Sequence, residues 1–418
     1  MTTKFISTSA LVLALAGSGA MAEGITLTVW HNSGDPAAVL DLYKAYEAAT
    51  GNTIALIDIP ADQFPTATQI KWATGERPDL MEYMPTVQDM RQLNAHENMQ
   101  DLSDMGFVAA EGALAEIAGT LDGKTYAAVL GPITTFAAFY NKEVYAAAGV
   151  PVPTNFAQLA ETCEAIKALG KVPVHVGAGS EFPANMIAGF AYMADFNAEL
   201  AFGRGVADGT IMVNDPNGPI VAGLTAVDNL RTAGCLNPDA ATATFQDAVK
   251  AVYNGDAAMT VLPSDFIGQF YDLGGGDRAA VDAKIGLGAV SAEKGIPSFS
   301  AGPYATFFAP KTGDAEKEAA AREFIEWVTT TGYQDYVNNA HSIPTMSNAT
   351  APDLSGLSAD LANLLNHPDA VPAFNQMIPG FGSFGKSAVS VVIGQATPQE
   401  AADNWNVFVQ QAIQAQKP

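Results

Sequence analysis

Carboxylates are abundant among the groups in this chain that could do chemistry. Its 418 residues carry 44 Asp and Glu against 20 Lys and Arg, a formal charge of −24. Glycoside hydrolysis needs two facing carboxyls, and abundance alone leaves that reading open. Other catalytic patterns are missing. The five histidines, His31, His96, His175, His341 and His367, include no pair at the spacing of a zinc helix, and none lies near a cysteine cluster. Gly177-Ala178-Gly179-Ser180-Glu181 lacks the flanking glycines of a nucleophile elbow. Gly274-Gly275-Gly276 lacks the Gly-Lys-Ser/Thr ending of a phosphate-binding loop. The residues thus carry none of these catalytic motifs, and no metal and no cofactor is expected.

Charge narrows the partners. A phosphate backbone needs clustered Lys and Arg, and so does polybasic contact with a membrane, so neither nucleic acid nor membrane insertion is expected. The 22 residues at the start hold Lys4, an apolar run around Ala10 to Ala16 and the ending Ala20-Met21-Ala22. This reads as a secretory signal cut after Ala22, leaving a mature chain from Glu23 in a bacterial periplasm. The apolar run falls short of the ~20 residues of a bilayer span. Two cysteines remain, Cys163 and Cys235. They are either two buried thiols or one structural bridge, which a periplasm permits; their spacing fits neither a metal nor a redox motif.

The elements that position these groups alternate. Residues 25–30 alternate with period two and read as a strand. Asp35 and Pro36 suit a helix start, Val39, Tyr43 and Tyr46 recur at helical spacing, and Gly51 ends it. Residues 52–59 form the next strand, so the chain opens β–α–β with a parallel pair. Further helices are expected at 67–74 and 87–93, after a Thr154 cap and after an Asp314 cap; strands are expected at 78–83, 126–129, 135–140 and 172–176. This is an α/β architecture, with 418 residues enough for two domains. Ligand sites in such sheets lie at the carboxyl ends of strands, which singles out the loops 31–35, 79–83 and 177–182.

Several strings in order resemble the extracellular solute-binding proteins of carbohydrate ABC transporters, the family 1 group that includes maltose-binding protein. They are Leu27-Thr28-Val29-Trp30 with Asp35; Ala73-Thr74-Gly75-Glu76-Arg77-Pro78-Asp79-Leu80; Phe139-Tyr140-Asn141-Lys142-Glu143; Tyr253-Asn254-Gly255-Asp256-Ala257-Ala258-Met259-Thr260; Ala320-Ala321-Arg322-Glu323-Phe324-Ile325; and Ser342-Ile343-Pro344-Thr345. The resemblance implies a two-lobe periplasmic-binding-protein fold with a ligand cleft and a multi-crossing hinge. By these strings the N-terminal lobe is 23–133 plus 305–345, and the C-terminal lobe is 135–303 plus 347–418. It also implies a sugar ligand, hinge closure, and ABC permease and ATPase partners; a monomer is expected.

A sugar offers an apolar ring face and a rim of hydroxyls, so its site needs aromatic faces and hydrogen-bonding side chains. By resemblance the contacts are Asn32 and Asp35 after the first strand, Asp79 and Tyr83, Thr134 at the first crossing, and Glu181 with Phe182. Asp265 and Phe266, Gly302 and Tyr304 at the second crossing, and Phe384 (or its neighbour Phe381) complete the set. Asp35 has a competing role as helix cap, and Tyr83 as a core side chain. Asp265 stands about where the family carries a stacking Trp, and only 4 Trp occur in the chain. A mono- or disaccharide, or a polyol, is therefore expected over a long oligosaccharide. The alternatives are a polyamine or other non-sugar solute, a secreted hydrolase, and a lobe that also feeds a chemoreceptor.

Overall fold

The alternating run near the start forms strand β1 (Thr26–Asn32), with Leu27 and Val29 fully enclosed. Helix α1 (Ala37–Thr50) follows and turns Val39, Leu42, Tyr43 and Tyr46 inward at helical spacing. Strand β2 (Thr53–Ile59) returns parallel to β1, Thr26 opposite Thr53 through Asn32 opposite Ile59. The computed structural model describes residues 24–415 except Pro36, Ala61, Asp62, Pro303, His341 and Asp353. The expected leader lies outside the described residues.

The remaining strands are β3 (Leu80–Glu82), the short β4 (Thr120–Leu121) and β5 (Lys124–Thr125), β6 (Ala127–Val129), β7 (Ile133–Asn141), β8 (Val172–Val174) and β9 (Ala257–Pro263). After them come β10 (Ile285–Gly288), β11 (Ser298–Ala301), β12 (Thr306–Phe308) and β13 (Val371–Pro372). Two larger sheets result. One has five strands in the order β2-β1-β3-β12-β6, and the other has six, β13-β11-β7-β9-β8 with β10 also on β7. Each is mixed. In the first sheet β12 runs antiparallel to both β3 and β6. It arrives from the other sheet through a short connection, so no crossover helix forces it parallel.

Each sheet has apolar side chains on both faces. In the first, Leu27 and Val29 pack with α1 and Phe324, while Trp30, Met81 and Tyr83 pack with Phe64 and Trp72 on the other side. The helix Ala315–Thr329 starts at Asp314, whose carboxylate accepts from the Glu316 and Lys317 amides. The helix Phe156–Ala168 is capped by Asn155 rather than Thr154; the Asn155 side-chain oxygen accepts from the Gln158 amide. Cys163 on that helix is bonded to Cys235, and both are buried. Among the described residues no helix is long and apolar enough to cross a membrane.

The chain passes between the sheets at β6 to β7, at β11 to β12, and between the helices Tyr333–Ala340 and Gly356–Leu365. These passages are tied together. The Leu130 amide donates to the Ala305 carbonyl at 3.0 Å. The Tyr336 hydroxyl donates to the Gly131 carbonyl at 2.8 Å, and the Thr345 hydroxyl donates to the Val129 carbonyl at 2.6 Å. Gly131 takes φ +103°, and a β-carbon there would sit 3.1 Å from the Thr345 methyl. That close approach and that backbone conformation both favour glycine.

Candidate functional site

The antiparallel pairing of β7 with β9 sets Phe136 opposite Pro263. Two residues further along the same register stand Thr134 and Asp265. The Thr134 hydroxyl donates to Asp265 Oδ1 at 2.9 Å and Oδ2 at 2.8 Å. Beside them the Thr135 amide donates to the Ser264 hydroxyl at 3.0 Å. Asp265 is open to solvent, yet protein crowds it closely. Burial raises its carboxyl to about 6, against the opposing effect of the Thr134 hydrogen bond.

Asp265 lines a cavity of about 650 Å³ together with Gly34 from the first sheet, Ile133 and Tyr304 from the passages, and Phe266, Gln269 and Arg278 from the second. That volume lies in the ~300–1,000 Å³ range of small-molecule sites. Burial raises the Tyr304 phenol, and the charges of Asp265 and Asp35 add to the shift. The Gly302 carbonyl accepts from the Thr306 hydroxyl at 2.8 Å, which holds the second passage in shape.

Phe266 begins an aromatic surface. Its ring lies 5.8 Å from Phe182 at an interplanar angle of 13°, and 4.8 Å from Phe245. All three rings are half-buried, and of the three Phe266 lines the cavity. Glu181 precedes Phe182 with a backbone φ of +59° and an exposed side chain. The structure thus brings Thr134 onto Asp265 and Phe182 onto Phe266, with Tyr304 and Gly302 at the adjoining passage.

Five expected contacts are placed elsewhere. Asn32 is buried, and its side-chain oxygen accepts from the Gly34 amide at 2.9 Å, shaping the turn. Asp79 accepts from the Thr28 amide and hydroxyl at 2.8 Å each and from Lys317 Nζ at 3.0 Å, so its oxygens serve the fold. Tyr83 is 1% exposed and packs on Phe64, because it shares the inward face of Met81. Phe384 is 0% exposed, 4.5 Å from Trp405, on a helix whose Ala388 and Val391 continue the same buried stripe. Asp35 turns its carboxyl away from solvent entirely, toward His31 and Glu82.

That last grouping escaped sequence reasoning. His31 Nδ1 lies 3.1 Å from both Glu82 oxygens and 3.6 Å from Asp35 Oδ2. Glu82 also accepts from the Asn32 amide at 2.7 Å and from the Tyr43 hydroxyl. Neither Asp35 oxygen has a hydrogen-bond partner of good geometry, although Glu82 and the Ala305 backbone lie close enough to act on its titration. Burial, then the Glu82 charge, raises the Asp35 carboxyl far above its ordinary range. Burial pulls the His31 imidazole down, but the Glu82 hydrogen bond and charge outweigh it and the net shift is upward. His31 and Glu82 stand 51 residues apart, so only the β1–β3 pairing, with Trp30 opposite Met81, makes them neighbours. Arg278 was missed as well; its one sequence signal is the glycine run just before it.

Comparison with known proteins now has a geometry to meet. A model of the bacterial extracellular solute-binding protein family matches residues 30–335. No curated protein sequence matches the chain. Solved structures do: a chitin oligosaccharide binding protein superposes with a TM-score of 0.76 at 19% identity, covering 94% of this chain and all (100%) of that one. The binding protein RafE, solved with raffinose, gives 0.72 at 17%, covering 93% and 100%. The GacH receptor of Streptomyces glaucescens, solved unliganded and with acarbose, gives 0.73 at 17%, covering 94% and 100%. At these identities the structures speak for the two-lobe α/β fold, and with the family match they lead to one conclusion: the chain belongs to the bacterial extracellular solute-binding proteins of family 1.

Proposed function

We propose that this protein captures a sugar in the periplasm and delivers it to an ABC permease, without catalysing a reaction on it. The observation that carries this reading is the Thr134–Asp265 pair beside the Phe266–Phe182 face. A carboxylate held by one hydroxyl keeps acceptor capacity for two ligand hydroxyls, and the ring offers a surface for the apolar side of a pyranose. The neighbours named above include proteins solved with raffinose and acarbose, which supports a carbohydrate. A mono- or disaccharide or a polyol is the expected size, because Asp265 offers a hydrogen-bonding acid about where the family carries a stacking Trp and the chain has only 4 Trp. The N-terminal lobe is 23–133 with 305–345 and the C-terminal lobe is 135–303 with 347–418. Closure about the three passages buries the ligand and shifts the open–closed population. The mature chain is a monomer starting at Glu23, free of its leader, and its closed form engages a permease served by an ATPase.

Thermal unfolding of residues 23–418 against sugars, polyols, polyamines and amino acids tests this. A ligand at ~100-fold its Kd adds about 2.7 kcal/mol. A shift confined to one sugar class supports the reading and names the cargo. A shift confined to polyamines or charged solutes rejects the carbohydrate, and turnover of a bound oligosaccharide on incubation rejects the non-enzyme.

A further inference from the structure

We propose that His31, Asp35 and Glu82 form a binding site for one divalent transition-metal ion of the Zn2+ or Mn2+ kind. The three residues offer one imidazole nitrogen and two carboxylates, with the ligand atoms within 4.8 Å of one another. Such a mixed set suits ions that accept both nitrogen and oxygen. Bonds of about 2.0–2.2 Å in a tetrahedral site place neighbouring donors about 3.3–3.6 Å apart. His31 Nδ1 lies 3.1 Å from Glu82 Oε1 and 3.6 Å from Asp35 Oδ2, close to those edges.

Asp35 supplies the independent observation. Its side chain has 0% exposure, both oxygens lack a hydrogen-bond partner of good geometry, and one of them faces His31. Burial of this group is costly; a proton shared with Glu82 meets that cost in the metal-free chain, and a cation between the two carboxylates displaces that proton and meets it in the loaded one. Tyr43 and the Asn32 amide donate to Glu82 and fix its orientation, as groups around metal ligands commonly do. His31 and Glu82 sit on paired strands, so their spacing is rigid. Ser33 and Gly34, in the loop between His31 and Asp35, are exposed.

This site is separate from the sugar reading and is tested without it. The mature chain, dialysed against a chelator, is titrated calorimetrically with ZnCl2 and with MnCl2, and its visible spectrum is recorded with CoCl2. The expected result is one ion per chain, a raised Tm, and cobalt absorption of the intensity that four- or five-coordinate sites give. Asp35→Asn and His31→Gln, each checked by circular dichroism, are expected to abolish stoichiometric binding. If a variant does not fold, the wild-type titration and cobalt spectrum decide alone. Absence of a stoichiometric ion, or equal binding by both folded variants, overturns the site and leaves protons as what joins these groups.

Discussion

The Thr134 hydroxyl divides one proton between the two oxygens of Asp265, at 2.9 and 2.8 Å, across 131 residues of chain. This contact leaves most of the carboxylate's acceptor capacity turned to the cavity. Its protonation state should therefore govern the ligand. With the Asp265 carboxyl raised to about 6, the ionised form dominates at pH 7 and is a minority at pH 5. If only that form binds, the apparent Kd rises by roughly tenfold at pH 5. The check is a calorimetric titration with the ligand found by thermal shift, from pH 7.5 to 5. Asp265→Asn should bind more weakly and lose the pH slope. A flat wild-type profile would place the ligand off Asp265.

Two phenylalanines differ in what covers them. Phe266 is half-buried beside the cavity, whereas Phe384 is 0% exposed against Trp405. Phe266→Ala should weaken ligand binding, with a lost stacking contribution of about 0.5–1.5 kcal/mol beyond area, and move the melt little. Phe384→Ala should cost about 3–5 kcal/mol of stability through the cavity it leaves. Chemical denaturation together with ligand titration on both variants reads the difference. The opposite pattern would return Phe384 to the ligand.

Local patterns carried most of the fold. The period-two run of β1, the 3.6-residue stripe of α1 and the Asp314 cap are properties of neighbouring residues, and each is formed where those residues predict it. The cap at Asn155 lies one residue from Thr154 because both types can accept from a helix amide. Strand ends alone singled out the loops 31–35, 79–83 and 177–182, and from the last of these Phe182 meets Phe266; Asp265 and Phe266 entered through the resemblance. The site was not legible where burial depends on partners far away. Tyr83 and Phe384 look equally able to stack on a ligand until Phe64 and Trp405 are seen to cover them. His31, Asp35 and Glu82 have no shared motif, since β1–β3 pairing and not spacing brings them together.

The Cys163–Cys235 bond closes a separation of 72 residues within the second sheet's core. Constraining the unfolded chain over a loop of that size contributes about 4 kcal/mol. Replacing both cysteines by alanine should lower denaturant stability by that amount and leave ligand affinity near the wild-type value, because neither residue lines the cavity. Mass measurement after alkylation of the unfolded wild type should show no free thiol. Two alkylated thiols would remove the basis for this prediction.

Glu111 should set part of the pH dependence of stability. It is 5% exposed in the first sheet's lobe; one oxygen accepts from the Val129 amide at 2.8 Å and the other has no partner. Burial raises its carboxyl from 4.5 to about 8, with the Val129 hydrogen bond opposing. Between those two values the folded state keeps a proton that the unfolded state gives up. Stability from this residue is thus whole below about pH 4.5 and falls as pH rises toward 8. The loss amounts to a few kcal/mol. Glu111→Gln keeps an acceptor for Val129 and cannot ionise, so it should gain on the wild type steadily across that window. Denaturant unfolding of both proteins from pH 5 to 8.5 measures the gap. Parallel curves would mean that Glu111 titrates alike in the folded and unfolded chain, and that water rather than protein surrounds its second oxygen.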